Sequence, residues 1–168
     1  MRAAIWLAVL SVALTAVAAP AQAAPGDIVA FSGFAPGTIV VKTSERRLYF
    51  VIDPGRALRF PVGVGRAGKT WTGKAVVEGK YVAPAWSPPD EIKRDHPHLP
   101  DVIAGGAANN PMGAAALTLR GGEYAIHGTN RPASVGGFVS YGCIRMFNRD
   151  IRTLYRLVNV GTPVVIER

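Results

Sequence analysis

The sequence predicts a mostly β domain with one helix near its C-terminal end and one long loop. Residues 38–82 contain runs rich in valine, tyrosine and phenylalanine that lack the apolar spacing of a helix. Residues 83–113 contain so many prolines and glycines that little room is left for regular structure. Within residues 151–158, apolar residues recur at i, i+3, i+4 and i+7, which is the spacing of one helix face.

The first 23 residues have the order of a secretory signal peptide. Arg2 is followed by an uncharged, alanine-rich run over residues 3–19, and then by Ala21-Gln22-Ala23, a small-residue cleavage site. An uncleaved anchor is the alternative, but the run is short and weakly apolar for a span of about 20 residues. We therefore expect an exported protein that begins near Ala24 and keeps no stable membrane span after cleavage.

Seven strands and one helix are predicted along the chain that follows. A short N-terminal segment, residues 24–36, precedes them. The predicted strands are residues 38–43, 47–52, 58–64, 74–82, 114–119, 124–127 and 164–167. The helix has the stripe Ile151, Leu154, Tyr155 and Val158. Asn148 is its predicted N-cap, and Gly161 with Pro163 ends it.

Composition limits the partners and the chemistry. Without the leader, 18 basic and 11 acidic residues give a net charge of +7, which favours polyanions or only aids solubility. The basic residues are scattered without interleaved aromatics, and an exported protein rarely meets nucleic acid, so no nucleic-acid partner is predicted. A single cysteine excludes an intramolecular disulfide.

Cys143 and His127 are the candidate catalytic pair. A thiol is a nucleophile as its thiolate, and a nearby imidazole is the usual base. The two residues are 16 positions apart, too far for a shared helix face but suitable for a chain that leaves a strand and returns. A buried structural thiol is the alternative reading, but the neighbours Ser140, Gly142 and Arg145 are not typical of a packed element.

Gly142 precedes the candidate nucleophile and allows close approach of the backbone to a substrate carbonyl. The backbone N–H groups of Tyr141, Gly142 and Cys143 are therefore the predicted oxyanion hole. The base also needs an orienting partner, for which the Gly128 carbonyl and Ser140 are the candidates.

A second histidine group, His96 and His98 beside Asp95, suggests a metal site. Two histidines and one aspartate form an incomplete site without further ligands at recognisable spacing. A solvated loop is the favoured reading, and neither a metal nor a cofactor is predicted.

Several of these motifs together resemble the catalytic signature of bacterial L,D-transpeptidases, the YkuD-domain family. The specific part is IHGTN, PAS-x-G, S-x-GCIRM and Asn-x-Asp over residues 126–150, and weaker matches upstream are VGRAGKTWTGK, PAWSPP and NNPMGAAAL. The resemblance covers residues 37–168. Two positions depart from it: Tyr141 replaces a frequent second histidine, and Thr-Trp-Thr-Gly at residues 70–73 replaces Thr-Pro-Thr-Gly.

The resemblance implies a YkuD-type, β-sandwich-like catalytic domain in which residues 83–113 form a lid loop over the cleft. It implies that Cys143 attacks the diaminopimelate carbonyl of a peptidoglycan stem peptide, expels D-alanine, and passes the acyl group from the thioester to an amine. His127 would act as base and then as acid. The residues expected to bind substrate are Arg145, Thr129, Asn130 and Trp86. The expected location is the periplasm or cell wall, and carbapenems are expected inhibitors.

Other functions share parts of this pattern. Transfer to water would make an L,D-carboxypeptidase, and transfer to a protein amine would attach that protein to the wall. A non-catalytic murein-binding module would keep the site without forming a thioester. A thiol redox protein is disfavoured because a second cysteine is missing.

Overall fold

The computed structural model describes residues 26–121 and 124–168, so the predicted signal peptide lies outside the described residues. Among these residues the helices are α1 (Asp90–Asp95) and α2 (Asn148–Leu157), with a 3-10 turn at Pro132–Ser134. The strands are β1 (Asp27–Phe31), β2 (Ile39–Lys42), β3 (Arg47–Asp53), β4 (Gly55–Pro61), β5 (Val64–Gly65), β6 (Gly73–Val82), β7 (Ala115–Leu119), β8 (Ala125–His127), β9 (Phe138–Ser140), β10 (Ile144–Arg145) and β11 (Pro163–Glu167).

Nine of these strands form one mixed sheet. Its order is β1-β4-β3-β2-β11-β6-β7-β8-β10, while β5 and β9 pair separately. Most neighbours are antiparallel, but β11 runs parallel to β2 and β10 runs parallel to β8. The predicted mostly β class with one main helix is confirmed.

One apolar cluster joins the two halves of the sheet. Ile39, Leu48 and Phe60 from the first half pack in the same cluster as Leu117 and Ile126 from the second half. The sheet therefore curves around a shared core, and α2 lies against β7 and β8 with its apolar stripe buried. The predicted stripe is confirmed at the core-facing positions Ile151, Leu154 and Val158.

Two strand predictions are corrected. Residues 27–31, placed in the short N-terminal segment that precedes the predicted strands, form the edge strand β1 and pair with β4. The single strand predicted at residues 58–64 is split, because the chain changes partners at Gly63. The Gly63 N–H donates to the Arg145 carbonyl, and the Gly63 carbonyl accepts the Arg145 N–H, both at 2.8 Å. At Gly63 the chain therefore bonds to the segment after Cys143 in place of β3.

The lid loop is more regular than predicted, because it contains α1. Its first turn carries Asp90 and Glu91 and its last turn carries Lys93 and Arg94, an order that favours the helix dipole. None of its residues is buried. With no apolar stripe, the six-residue helix left no periodic signal in the sequence.

The N-cap prediction for Asn148 is wrong. Phe147 is the N-cap residue of α2, and Asn148 is the first helical residue. The Asn148 side chain instead accepts backbone N–H bonds from Ala114 at 2.9 Å and Thr129 at 3.0 Å. It thereby joins α2 to the residues just before β7 and just after His127.

Within the part of the chain that the structure describes, we found no helix with the length and apolar character needed to span a bilayer.

Candidate active site

The segments that carry Cys143 and His127 are brought together by the parallel pairing of two short strands. His127 is the last residue of β8, and Cys143 immediately precedes β10. Ile144 pairs with Ile126 and Arg145 with His127, and the Met146 N–H donates to the His127 carbonyl at 2.8 Å. Cys143 is partly exposed. The chain leaves a strand and returns beside it, as the spacing of the two residues predicted.

The imidazole of His127 is buried, with 4% of the residue exposed. Its Nδ1 lies 2.6 Å from the Gly128 carbonyl oxygen. Because a carbonyl only accepts, Nδ1 carries the proton in this contact, and Nε2 is left as the basic nitrogen. Burial, helped by the charge of Arg145 and opposed by backbone hydrogen bonds to Gly128 and Pro111, lowers the pKa of His127 to about 4. The imidazole is therefore neutral at pH 7.

Ser140 supports the backbone of the nucleophile loop, residues 140–143, and does not orient the base. Its hydroxyl donates to the Cys143 carbonyl at 2.6 Å and accepts the Gly142 N–H at 3.1 Å. The orienting contact to His127 comes from Gly128, so the alternative assignment of Ser140 is corrected. Because the Gly142 N–H already donates to Ser140, it is also removed from the predicted oxyanion hole. The backbone N–H groups of Tyr141 and Cys143 stay predicted members of that hole.

Gly142 is required by both conformation and space. Its φ is +125°, a region that favours glycine, and an added Cβ would lie 2.2 Å from the Tyr124 ring. Trp71 stacks on Tyr124 with ring centroids 5.1 Å apart, and its Nε1 donates to the Gly142 carbonyl at 3.0 Å. Trp71 thus holds the nucleophile loop. Sequence reasoning noticed it only as a departure from the Thr-Pro-Thr-Gly pattern.

Gly142→Ala should displace the nucleophile loop. We expect a loss of at least about 2 kcal/mol in unfolding free energy, because positive φ and overlap with Tyr124 add together. The rate at which iodoacetamide alkylates the lone thiol should also change severalfold. The matched control is Gly136→Ala, where φ is +93° and nothing lies within 4 Å of an added Cβ. Equal stability and alkylation rates in the two variants would contradict the assigned packing.

Arg145 presents a partly buried guanidinium within electrostatic reach of the thiol. Among described residues its Nε is buried without a hydrogen-bond partner. Burial lowers the pKa of Arg145, and the charge of Cys143 acts in the opposite direction. The group is placed to meet an anion beside Cys143, either a thiolate or a substrate carboxylate.

The other predicted substrate residues are dispersed. Thr129 is 3% exposed and accepts the Arg131 N–H, while the Asn130 side chain donates to Ala108 in the lid loop. Thr129 and Asn130 line a cleft of about 910 Å³ between the lid loop and α2. The backbone of Trp86 pairs with Ile103 inside the lid loop, away from that cleft. Neither Cys143 nor His127 lines this cleft, so we assign the chemistry to the thiol and the imidazole and not to the cleft.

Asn110 is a structural residue of the lid loop that sequence reasoning missed. Its buried amide donates to the carbonyls of Pro84 and Ala104 at 2.9 Å and of Ile103 at 3.3 Å. It ties the two ends of the lid loop together. Only its place in the motif NNPMG hinted at such a role.

The suggested metal group is not assembled. Asp95 bonds to Arg66 and Tyr141, and its neighbours His96 and His98 are exposed. Within residues 26–121 and 124–168, no three His, Cys, Asp or Glu side chains are arranged to hold a metal ion.

Comparison with known families gives a match over most of the chain. The model of the YkuD family, described as the L,D-transpeptidase catalytic domain, matches residues 36–166. A probable L,D-transpeptidase ErfK/SrfK of Escherichia coli is 40% identical over 137 residues, which is 76% of this chain and 43% of that protein. The chain therefore spans less than half the length of such curated relatives.

Solved structures share the fold. An L,D-transpeptidase from Mycobacterium smegmatis superposes with a TM-score of 0.62 at 18% identity, covering 78% of this chain and 58% of that one. A Brucella melitensis protein described as a probable carnitine operon oxidoreductase is 38% identical, with a TM-score of 0.56, and covers 81% of this chain and 89% of its own.

Proposed function

The chain belongs to the YkuD family of L,D-transpeptidase catalytic domains, and from this premise we propose that it is an exported cysteine acyltransferase acting on peptidoglycan stem peptides. The donor is a tetrapeptide stem, and the acceptor is the amine of a second stem, which gives a 3-3 cross-link. The observation that supports this most strongly is the β8–β10 pairing, which lays the segment of the thiol beside the segment of the buried base.

The reaction is a double displacement on one carbonyl. The Cys143 sulfur bonds to the diaminopimelate carbonyl carbon, His127 takes the thiol proton, and the C–N bond to D-alanine breaks as that proton passes to the leaving amine. The acceptor amine then attacks the thioester, gives its proton to His127, and releases Cys143. The proton finally returns to sulfur, so the enzyme is regenerated.

The electrostatics of the site fit this sequence of steps. An imidazole with a pKa of about 4 is neutral at pH 7 and free to accept the proton, but it is a weak base. Because proton transfer from a thiol to such a base is unfavourable, the thiolate needs a positive neighbour. The guanidinium of Arg145 supplies that charge in the proposal.

Transfer to water or to a protein amine uses the same first half-reaction. Incubation of the purified protein with disaccharide-tetrapeptide, followed by mass analysis of products, separates them: we expect cross-linked dimers. Disaccharide-tripeptide without dimers would instead identify a carboxypeptidase, and unchanged substrate would contradict the enzymatic proposal.

Two other classes of function, a murein-binding module and a redox protein, have less support. A murein-binding module would retain wall affinity without forming a thioester and would not react with a carbapenem. The description of the Brucella melitensis relative raises redox chemistry, but a thiol–disulfide cycle within one chain needs a second cysteine. This sequence contains a single one.

A further inference from the structure

The helix α1 is held against the rest of the domain by charge and not by apolar burial. None of its residues is buried. Two of its acidic side chains contact basic side chains of the segment after β5: Glu91 forms an ion pair with Lys69, and Asp95 Oδ2 lies 3.0 Å from Arg66 Nη2. The lid loop is thereby attached to the body of the domain through carboxylates.

The same Asp95 oxygen contacts the nucleophile loop. The Tyr141 hydroxyl donates to Asp95 Oδ2 at 2.5 Å, and the Arg66 guanidinium lies over the Tyr141 ring at 3.9 Å from its centroid. Tyr141 is two residues before Cys143. The hydrogen bonds from Tyr141 and then Arg66 lower the pKa of Asp95, so the group held here is a carboxylate anion. A guanidinium and a phenol thus converge on one carboxylate oxygen, beside the loop that carries Cys143.

These contacts are weak enough to exchange. The Arg66 and Asp95 side chains are each 43% exposed. Ion pairs of this exposure contribute about 0–1 kcal/mol in water. A second carboxylate that reaches Arg66 and Tyr141 can therefore replace Asp95 at little cost, especially when it is delivered on a bound peptide.

We propose that Arg66 and Tyr141 form a binding site for a carboxylate of the donor peptide, and that Asp95 occupies this site until the peptide displaces it. The identity of the peptide rests on the proposed function, but the competition for the site does not involve catalysis. Tyr141, which replaces the frequent histidine of the family pattern, is given a role in substrate selection. Asp95 acts as an internal competitor.

Binding measured without turnover tests this site. Cys143→Ala protein is titrated calorimetrically with disaccharide-tetrapeptide and with the same molecule after amidation of its carboxylates. The acidic form should bind more tightly. When Asp95→Asn is added to the Cys143→Ala protein, the affinity for the acidic peptide should rise about fivefold, while the affinity for the amidated peptide should stay the same. Only a peptide carboxylate competes with Asp95 for the site. Adding Arg66→Gln should reduce the preference for the acidic form severalfold.

Asp101→Asn is the matched control, since Asp101 is another lid-loop carboxylate, paired with Lys93 at 2.6 Å. It should leave both affinities unchanged. Equal binding of the two peptides, no detectable binding of either, or equal effects of Asp95→Asn and Asp101→Asn would overturn the carboxylate site. Failure of the proposed function has a different readout, which is the absence of a thioester on Cys143 in protein that retains the thiol.

Discussion

Cys143→Ala is expected to lower the rate of acyl transfer at least about 10³-fold, because it removes the nucleophile that forms the thioester. The measurement is the initial rate of release of D-alanine from disaccharide-tetrapeptide, compared with that of the unmodified protein. Binding of the peptide should persist, since the substitution leaves the predicted binding residues in place.

The substitution should not unfold the domain. Cys143 is partly exposed, and the loop around it is held through Ser140 and Trp71 by bonds to backbone atoms. We expect a change in unfolding free energy within about 1 kcal/mol. Undiminished release of D-alanine by a folded Cys143→Ala protein would eliminate Cys143 as the nucleophile.

His127→Gln is expected to lower the rate of acylation by about 10²- to 10⁴-fold, the usual contribution of a general base. In the unmodified protein the base is neutral above about pH 4, because its pKa is lowered to about 4. The pH profile of acylation should therefore show no step near pH 6.5, where an ordinary histidine titrates. A step near pH 6.5 in single-turnover acylation would mean that the imidazole is not buried as described.

The same pKa gives a stability test that is independent of activity. On acidification the unfolded chain binds the His127 proton near pH 6.5, while the folded protein resists it until about pH 4. Stability is thus lost as the pH falls through this window, by about 3 kcal/mol. His127→Gln lacks this loss, so its unfolding free energy should depend less on pH between 7 and 4. Parallel pH dependences in chemical denaturation would contradict the burial of the imidazole.

The elements that sequence reasoning located were those with a local pattern. The runs around Val40, Phe50 and Val165 are short and rich in the β-branched and aromatic residues typical of strands, and Ile151 with Leu154 marks a helix face. The return of the Cys143 segment beside the His127 segment was also predictable, since both belong to one dense motif.

What sequence reasoning missed depends on contacts between distant segments. The helix α1 has no apolar face that a sequence pattern could reveal. Asn148 was assigned as an N-cap because an asparagine just before an apolar helical stripe is typical of that position. The side chains of Ser140 and Trp71 bond to backbone atoms of the nucleophile loop, and such contacts have no periodicity in the sequence. The role of Asp95 depends on Arg66 and Tyr141, which are 29 and 46 residues away along the chain.

The central claim is that the Cys143 sulfur becomes acylated by a stem peptide. The most direct test is the intact mass of the protein after brief exposure to disaccharide-tetrapeptide, followed by peptide mapping and treatment with hydroxylamine. We predict one added acyl group, located on the peptide that contains Cys143 and removed by hydroxylamine. A protein that turns over the substrate with no adduct on Cys143, or with an adduct elsewhere, would contradict the account.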